Sequence, residues 1–345
     1  MEMKQTAKKS TLGCTVDLDK PGRQVGFIRL MWSDNKHAGG VIPVPIAVIA
    51  NGKGPTILIT GGTHGNEYEG QIIVQRLIRE LDPANVNGRL ILMPAHNYLA
   101  VQDDKRCADA DDVNLNRIFP GDPDGGPTEQ IAYFVDTVIL PKCDYGMDLH
   151  TGGNFAEMPP CGYLRVGGSS ELMKKKIAMA EAFAAPLTVV VSTTSSTRSV
   201  SAACDRHSVA SLSTELGGGN TVSREAMAIG TQGVNRVLRQ IGILAPDSAD
   251  KDKPNTRYIE YGDSSYFTAS PSDGLFEPYQ ALGDTVKKGQ KAGCVHSLEA
   301  PALVPVEVEF SHEGLIVMEH IHAPVKRGDY LFCVATDVDP SSMSV

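Results

Sequence analysis

The chain has no apolar run approaching the roughly 20 residues that a membrane-spanning helix needs. Its first ten residues, MEMKQTAKKS, carry lysines with no apolar stretch behind them, so a secretory leader is not expected. No CxxC pair occurs. The seven cysteines (Cys14, Cys107, Cys143, Cys161, Cys204, Cys294 and Cys333) stand singly, which reads as reduced thiols rather than a disulfide framework. An excess of positive charge is also missing. A formal net charge of −9 and a pI near 5.5 disfavour nucleic acid or an anionic membrane surface as the main partner. These absences lead to the expectation of a soluble, cytoplasmic protein.

At 345 residues the chain exceeds the size at which one core usually stops growing, so two domains are expected. Hydrophobic residues at 41% and charged residues at 21% are ordinary for a globular protein. Residues 1–20 are polar and read as an N-terminal arm. VGFIRLMW and VIPVPIAVIA are β-like, and the two prolines of the second suit an edge strand. TILITGG is a short buried strand. The spacing of Ile73, Leu77, Ile78 and Leu81 predicts a helix from Glu69, which Asp82-Pro83 ends. GRLILMP follows as a strand.

Residues 95–127 show no period and are rich in Asp, Asn, Gly and Pro; such a long irregular stretch in a compact domain is usually functional or disordered. A helix over 128–140, a strand from Cys143 to His150, a helix over 170–185 and strands at 187–192 and 209–216 come next. A long helix spans 224–244. Strands alternating with helices imply a mixed, mainly parallel sheet flanked by helices, whose ligand site lies past the carboxyl ends of its strands. Residues 246–256 are charged and carry a proline, as a linker does. Residues 257–345 are expected to form a smaller, β-rich C-terminal domain.

Chemistry is concentrated in four places. His64 and Glu67 lie three residues apart on a strand-to-helix loop, and imidazole and carboxylate both suit Zn²⁺ at about 2.0–2.2 Å. The competing reading of that loop is a helix start in which Glu67 merely complements the dipole. A lone histidine is commonly a hydrogen-bonded structural residue, but His150, in MDLHTGG, follows a strand and precedes two glycines that leave room for a ligand. Two histidines and one carboxylate leave a fourth position for water, as a catalytic zinc site requires. Glu215, in LSTELGGG, ends a strand, where a carboxylate beside an activated water can take its proton and pass it to a leaving amine, although a salt-bridged residue on the rim reads equally well from these residues alone. In the 103–121 loop, Asn116 and Arg117 could grip a carboxylate and Arg106 an oxyanion, though a solvated surface charge is the commoner fate of a loop arginine.

Taken together, HGNE (64–67), NLNRIFPG (114–121), DLHTGG (148–153) and TELGGG (214–219) resemble the succinylglutamate desuccinylase/aspartoacylase family of the zinc-carboxypeptidase-like superfamily. The resemblance runs across most of residues 55–245. It implies one Zn²⁺ per subunit held by His64, Glu67 and His150, with Glu215 as general base and acid. It implies also that Asn116 and Arg117 hold the substrate α-carboxylate, that Arg106 polarises the scissile carbonyl, and that residues 1–245 are the catalytic domain capped by the C-terminal one. Arg206 is similar in position to the arginine with which aspartoacylases hold a side-chain carboxylate, although its spacing differs. Asn114 stands where many members have Asp, as a neutral partner for the first zinc histidine. The tyrosine that the family brings from its C-terminal domain has no placed counterpart here; Tyr279 is only a guess for it and is not assigned a catalytic role.

Within the family the chain is most similar to the subgroup that deacetylates N-α-acetyl-L-2,4-diaminobutyrate in ectoine breakdown. The expected activity is therefore zinc-dependent hydrolysis of an N-acyl amino acid. An acidic substrate, such as N-succinylglutamate or N-acetylaspartate, and a non-enzymatic metal-dependent binding role stay open. A homo-oligomer is expected on frequency alone. The segment GLFEPYQALGDTVKKGQKAG resembles the half-barrel of biotinyl and lipoyl carriers but lacks their lysine motif, so Lys287, Lys288 and Lys291 read as solvated turn residues.

Overall fold

The computed structural model describes residues 8–33, 35, 38–191 and 196–343; the first seven residues of the expected arm, Ser192 at the end of one expected strand, and the last two residues lie outside the described residues. In chain order, β1 (Gly13–Cys14), β2 (Gly22–Trp32), β3 (Gly40–Asn51) and β4 (Thr56–Gly61) lead to α1 (Tyr68–Glu80). Then come β5 (Gly88–Met93), α2 (Tyr98–Asp103), α3 (Pro127–Phe134) and β6 (Tyr145–His150). The middle of the chain forms β7 (Ala156–Glu157), β8 (Cys161–Arg165), α4 (Ser170–Phe183), β9 (Leu187–Val191), α5 (Val200–Arg206), β10 (Ala210–Glu215) and α6 (Arg224–Gln240). The remainder is β-rich: β11 (Arg257–Glu260), β12 (Phe267–Ala269), β13 (Gly274–Pro278), β14 (Thr285–Val286), β15 (Lys291–His296), β16 (Val306–Glu309), β17 (Gly314–His320), β18 (Pro324–Val325) and β19 (Tyr330–Asp337). The protein is thus a mixed α/β fold with a separate antiparallel sheet, as the pattern of elements predicts.

Local chemistry explains the element ends. Ser169 caps α4 by accepting from the Leu172 N–H, and Ala184, at φ 53°, closes it in the left-handed region. Ser199 caps α5 in the same way through the Ala202 N–H. The helix expected over 128–140 is α-helical only to Phe134 and continues as a π-helical segment, Val135–Ile139.

By contact density the chain forms two compact units, Met1–Leu149 with Ser196–Ser211 and Leu238–Ser248, and His150–Ser195 with Leu212–Val237 and Ala249–Val345. In the first unit the strand order is β1-β2-β3-β5-β4-β6. β4 runs parallel to both β5 and β6, with Thr60 opposite Asp148 and Gly61 opposite Leu149, so their carboxyl ends lie level. The strand with two prolines, β3, is not an edge strand, because β2 and β5 flank it. Its pairing with β5 covers only Ala47–Asn51, whereas Pro43 and Pro45 oppose Arg29 and Phe27 of β2. Proline has no N–H to donate, so both fall where β3 has a single neighbour. Val44, Ile46, Leu58 and Ile91 fill the core of this unit, together with Ile131 and Phe134 of α3.

In the second unit the order is β10-β8-β9-β11-β19-β17-β14, and a smaller sheet runs β16-β15-β13-β18. β11, the first strand of the expected C-terminal domain, lies parallel to β9 and antiparallel to β19. Phe276, Val295, Val308, Phe310 and Phe332 form the core of the β-rich part.

Candidate metal centre

β4 is buried along its whole length and delivers the chain into Gly61-Gly62. A Cβ on Gly61 would lie 2.5 Å from the Gly70 carbonyl carbon, and Gly62 adopts φ +69°, so both positions need glycine. One residue past His64, a Cβ on Gly65 would lie 1.9 Å from Ala100 O. The Gly65 N–H donates to Lys105 O at 2.8 Å, which ties this loop to the residue preceding Arg106. Asp148 braces the same turn from β6, because its Oδ1 accepts from both Thr60 Oγ1 and Thr63 Oγ1 at 2.7 Å.

Glu67 is the N-cap residue of α1, yet its side chain makes no cap hydrogen bond. Its Oε1 instead lies 2.7 Å from His64 Nδ1. Glu67 thus stands at the helix start, as the competing reading expects, with its carboxylate directed at His64 rather than at a cap N–H. His64, Glu67 and His150 are all buried, and they offer ligand atoms within 4.8 Å of one another.

The electrostatics of the group fit a cation. Asn114 Oδ1 accepts the Asn116 N–H at 2.9 Å and sits 3.1 Å from His64 Nε2, which assigns the imidazole proton to Nε2. Nδ1 then presents a lone pair to the Glu67 carboxylate. Two acceptors at that separation repel unless a proton or a metal ion lies between them. Arg106 Nη1 is placed 3.3 Å from His64 Nδ1 and 3.6 Å from Glu67 Oε1, and supplies positive charge at the edge of the pair. Two imidazole nitrogens and a carboxylate are a donor set that suits zinc and other borderline divalent metals.

His150 ends β6, and its carbonyl accepts the Leu216 N–H at 2.9 Å; Gly152 N–H donates to Gly217 O at 2.8 Å. These bonds hold the segment after β10 beside the segment after β6, and so fix Glu215, the last residue of β10, next to the His150 backbone. Glu215 opposes Cys161 of β8. Burial pushes the Cys161 thiol and the Tyr163 phenol well up, and the neighbouring Glu215 charge adds to both shifts. Tyr163 and Tyr261 share a hydrogen bond at 2.9 Å, and burial pushes Tyr261 up to about 12. Glu215 thus faces groups that stay protonated at neutral pH. Sequence reasoning did not single out Tyr163 or Tyr261.

Asn116 and Arg117 occupy the short 3₁₀ turn Leu115–Arg117 that Asn114 caps. Asn116 Oδ1 accepts the Val200 N–H at 2.9 Å, which turns the donor end of the amide, Nδ2, the other way. Arg117 is exposed and donates to Asn116 O. Arg206, at the end of α5, donates to Thr197 O at 3.0 Å and pairs with Asp136 at 3.2 Å. The structure therefore brings Arg106 and Asn114 onto the His64–Glu67 pair, and gives Arg206 protein partners of its own.

Residues 53–241 match the succinylglutamate desuccinylase/aspartoacylase catalytic domain. The chain is 34% identical over 332 residues, 96% of its own length and 97% of the relative's, to an N-α-acetyl-L-2,4-diaminobutyric acid deacetylase from Halomonas elongata. Among solved structures it is similar to the ectoine utilization protein EutE (DoeB) from Ruegeria pomeroyi with product bound (TM-score 0.91, 34% identity, 95% of this chain and 100% of that one). It is similar also to a succinylglutamate desuccinylase/aspartoacylase from Rhodobacter sphaeroides (TM-score 0.89, 36% identity, 95% and 100%). By the extent of these matches, the chain belongs to the succinylglutamate desuccinylase/aspartoacylase family.

Proposed function

We propose that the protein is a zinc-dependent amidohydrolase that removes the acetyl group from N-α-acetyl-L-2,4-diaminobutyrate. The observation that carries this reading is the buried convergence of His64, Glu67 and His150, in a chain related along nearly its whole length to a deacetylase of that compound. These three residues would hold Zn²⁺, which when bound supplies Lewis acidity towards water and the amide carbonyl.

The chain's own residues do the rest. The Glu215 carboxylate takes a proton from the attacking water as the oxygen bonds to the acyl carbon. Arg106 donates to the oxygen of that carbon as negative charge develops there. Glu215 then hands its proton to the amine nitrogen, the C–N bond breaks, and acetate and diaminobutyrate are released. Asn116 Nδ2 and the Arg117 guanidinium hold the α-carboxylate, which fixes the position of the scissile carbonyl. Asn114 keeps His64 in the tautomer that presents Nδ1. We place the protein in the cytoplasm. None of the seven cysteines is in a disulfide, and no helix among the described residues is long and apolar enough to cross a membrane.

A panel that varies acyl group and side chain independently, run on zinc-loaded protein, tests the assignment. Fastest turnover is expected with N-α-acetyl-L-2,4-diaminobutyrate. An inert diaminobutyrate derivative alongside rapid hydrolysis of N-succinylglutamate or N-acetylaspartate would move the protein to the acidic-substrate branch. Protein that neither carries metal nor gains activity with any would not be a metallohydrolase.

A further inference from the structure

A second convergence of metal-binding side chains lies on the small sheet of the β-rich part. β13, β15 and β16 are neighbouring antiparallel strands, with Glu277 opposite Cys294 and Cys294 opposite Glu307. Phe276, Val295 and Val308 point into the core. Side chains alternate along a strand, so Glu277, Cys294, His296 and Glu307 share the outer face. There His296 Nε2 lies 2.8 Å from Glu277 Oε2 and 3.4 Å from Cys294 Sγ, and Sγ lies 3.5 Å from Glu277 Oε2. We propose that Glu277, Cys294 and His296 form a second site, open to solvent, for a divalent transition-metal ion of the Zn²⁺ type.

Three observations support this assignment. First, the spacing already approximates coordination. Tetrahedral bonds of about 2.3 Å to sulfur and 2.0–2.1 Å to nitrogen and oxygen put ligand atoms roughly 3.4–3.6 Å apart. Both edges that involve sulfur meet this as they stand. Only the N···O edge must open, by about 0.5 Å on those bond lengths, and Glu277 is free to move because its side chain is 58% exposed. Second, the thiol and the carboxylate meet the same imidazole nitrogen. In a nucleophile relay the carboxylate would hold the far nitrogen and leave the near one to the thiol. Convergence on one atom suits a shared cation instead. Third, sulfur and imidazole donors select zinc-like ions over Mg²⁺ or Ca²⁺, which prefer oxygen. Cys294 is buried at the base of the cup, and water can complete the shell from the solvent side.

Glu307, ion-paired to Lys291 at 3.0 Å, flanks Cys294 on the far side from Glu277. Metal binding forms the S–metal bond and releases the thiol proton to solvent. This inference does not depend on the activity proposed above.

Cobalt(II) tests it on full-length, tag-free, metal-stripped protein. The His64 group contains no sulfur, so a thiolate-to-cobalt charge-transfer band in the near ultraviolet reports on a cysteine site alone. Wild-type protein is expected to show that band and to bind one equivalent more than Cys294→Ser, which loses the band. His64→Ala is expected to keep it. Glu277→Gln, at an exposed position, should weaken this equivalent at least about tenfold, the lower end of the loss seen when even a supporting partner is removed. Absence of the band in wild type, or its persistence in Cys294→Ser, overturns the site. An unchanged affinity in Glu277→Gln removes the carboxylate from it.

Discussion

Asn114 Oδ1 sits 3.1 Å from His64 Nε2, and so a neutral amide orients the imidazole of the first proposed metal ligand. An aspartate in that place would make the imidazole more basic and bind metal more tightly. The amide sets the tautomer without adding a negative charge to a loop that already holds Asp111 and Asp112.

Asn114→Ala is expected to lower metal affinity or turnover about 10–100-fold, the usual cost of removing a partner behind a ligand. It also removes the cap that accepts the Asn116 N–H, worth about 1 kcal/mol. Asn114→Asp should restore the cap and hold metal at least as tightly as wild type. Equilibrium dialysis with metal analysis, beside thermal melts, checks both. An Ala variant with wild-type affinity would remove Asn114 from the role.

Gly65→Ala tests the rigidity of the ligand loop. The added Cβ meets Ala100 O at 1.9 Å, and backbone cannot yield as a side-chain end can. Overpacking of this kind costs about 1–3 kcal/mol or more. The displacement should appear as a lower melting temperature and as lost metal, because His64 is the adjacent residue. A variant that kept wild-type metal content would show that the loop tolerates the shift.

What could be read from the sequence divides by the range of the interactions involved. HGNE is legible because strand, glycine turn, candidate ligands and helix follow one another within fifteen residues of chain. The prolines of β3 point to an edge strand because they do forbid a neighbour, and nothing in the sequence says that the second neighbour covers only Ala47–Asn51. α2 was missed because six residues are too few to display a helical period. The Tyr163–Tyr261 bond joins residues 98 apart, and no local pattern could announce it. Asn114 was legible as a partner for a histidine only through the family resemblance, since it lies 50 residues from His64.

Glu215→Gln keeps the size of the side chain and removes the base. Proton transfer by a positioned group is worth about 10²–10⁴ in rate, so kcat should fall by that much while zinc content stays at the wild-type level. The pairing of Glu215 with Cys161 is through backbone and survives the change. Retained activity would mean that another group takes the proton.

Arg106 has two separable effects. As the donor to the developing oxyanion, its loss should lower kcat about 10²–10³-fold. Arg106→Lys should recover only part of this, because an ammonium is a point charge and lacks the planar fork. In metal-free protein, Arg106 is also the cation beside the His64 Nδ1 and Glu67 Oε1 acceptors. Its removal should therefore destabilise the metal-free form more than the metal-loaded one, in which the ion replaces its charge. Metal loading should raise the melting temperature of Arg106→Ala by more than that of wild type. Equal shifts in the two proteins, with kcat still reduced, would restrict Arg106 to the oxyanion. Equal shifts with kcat unchanged would place it outside the site altogether.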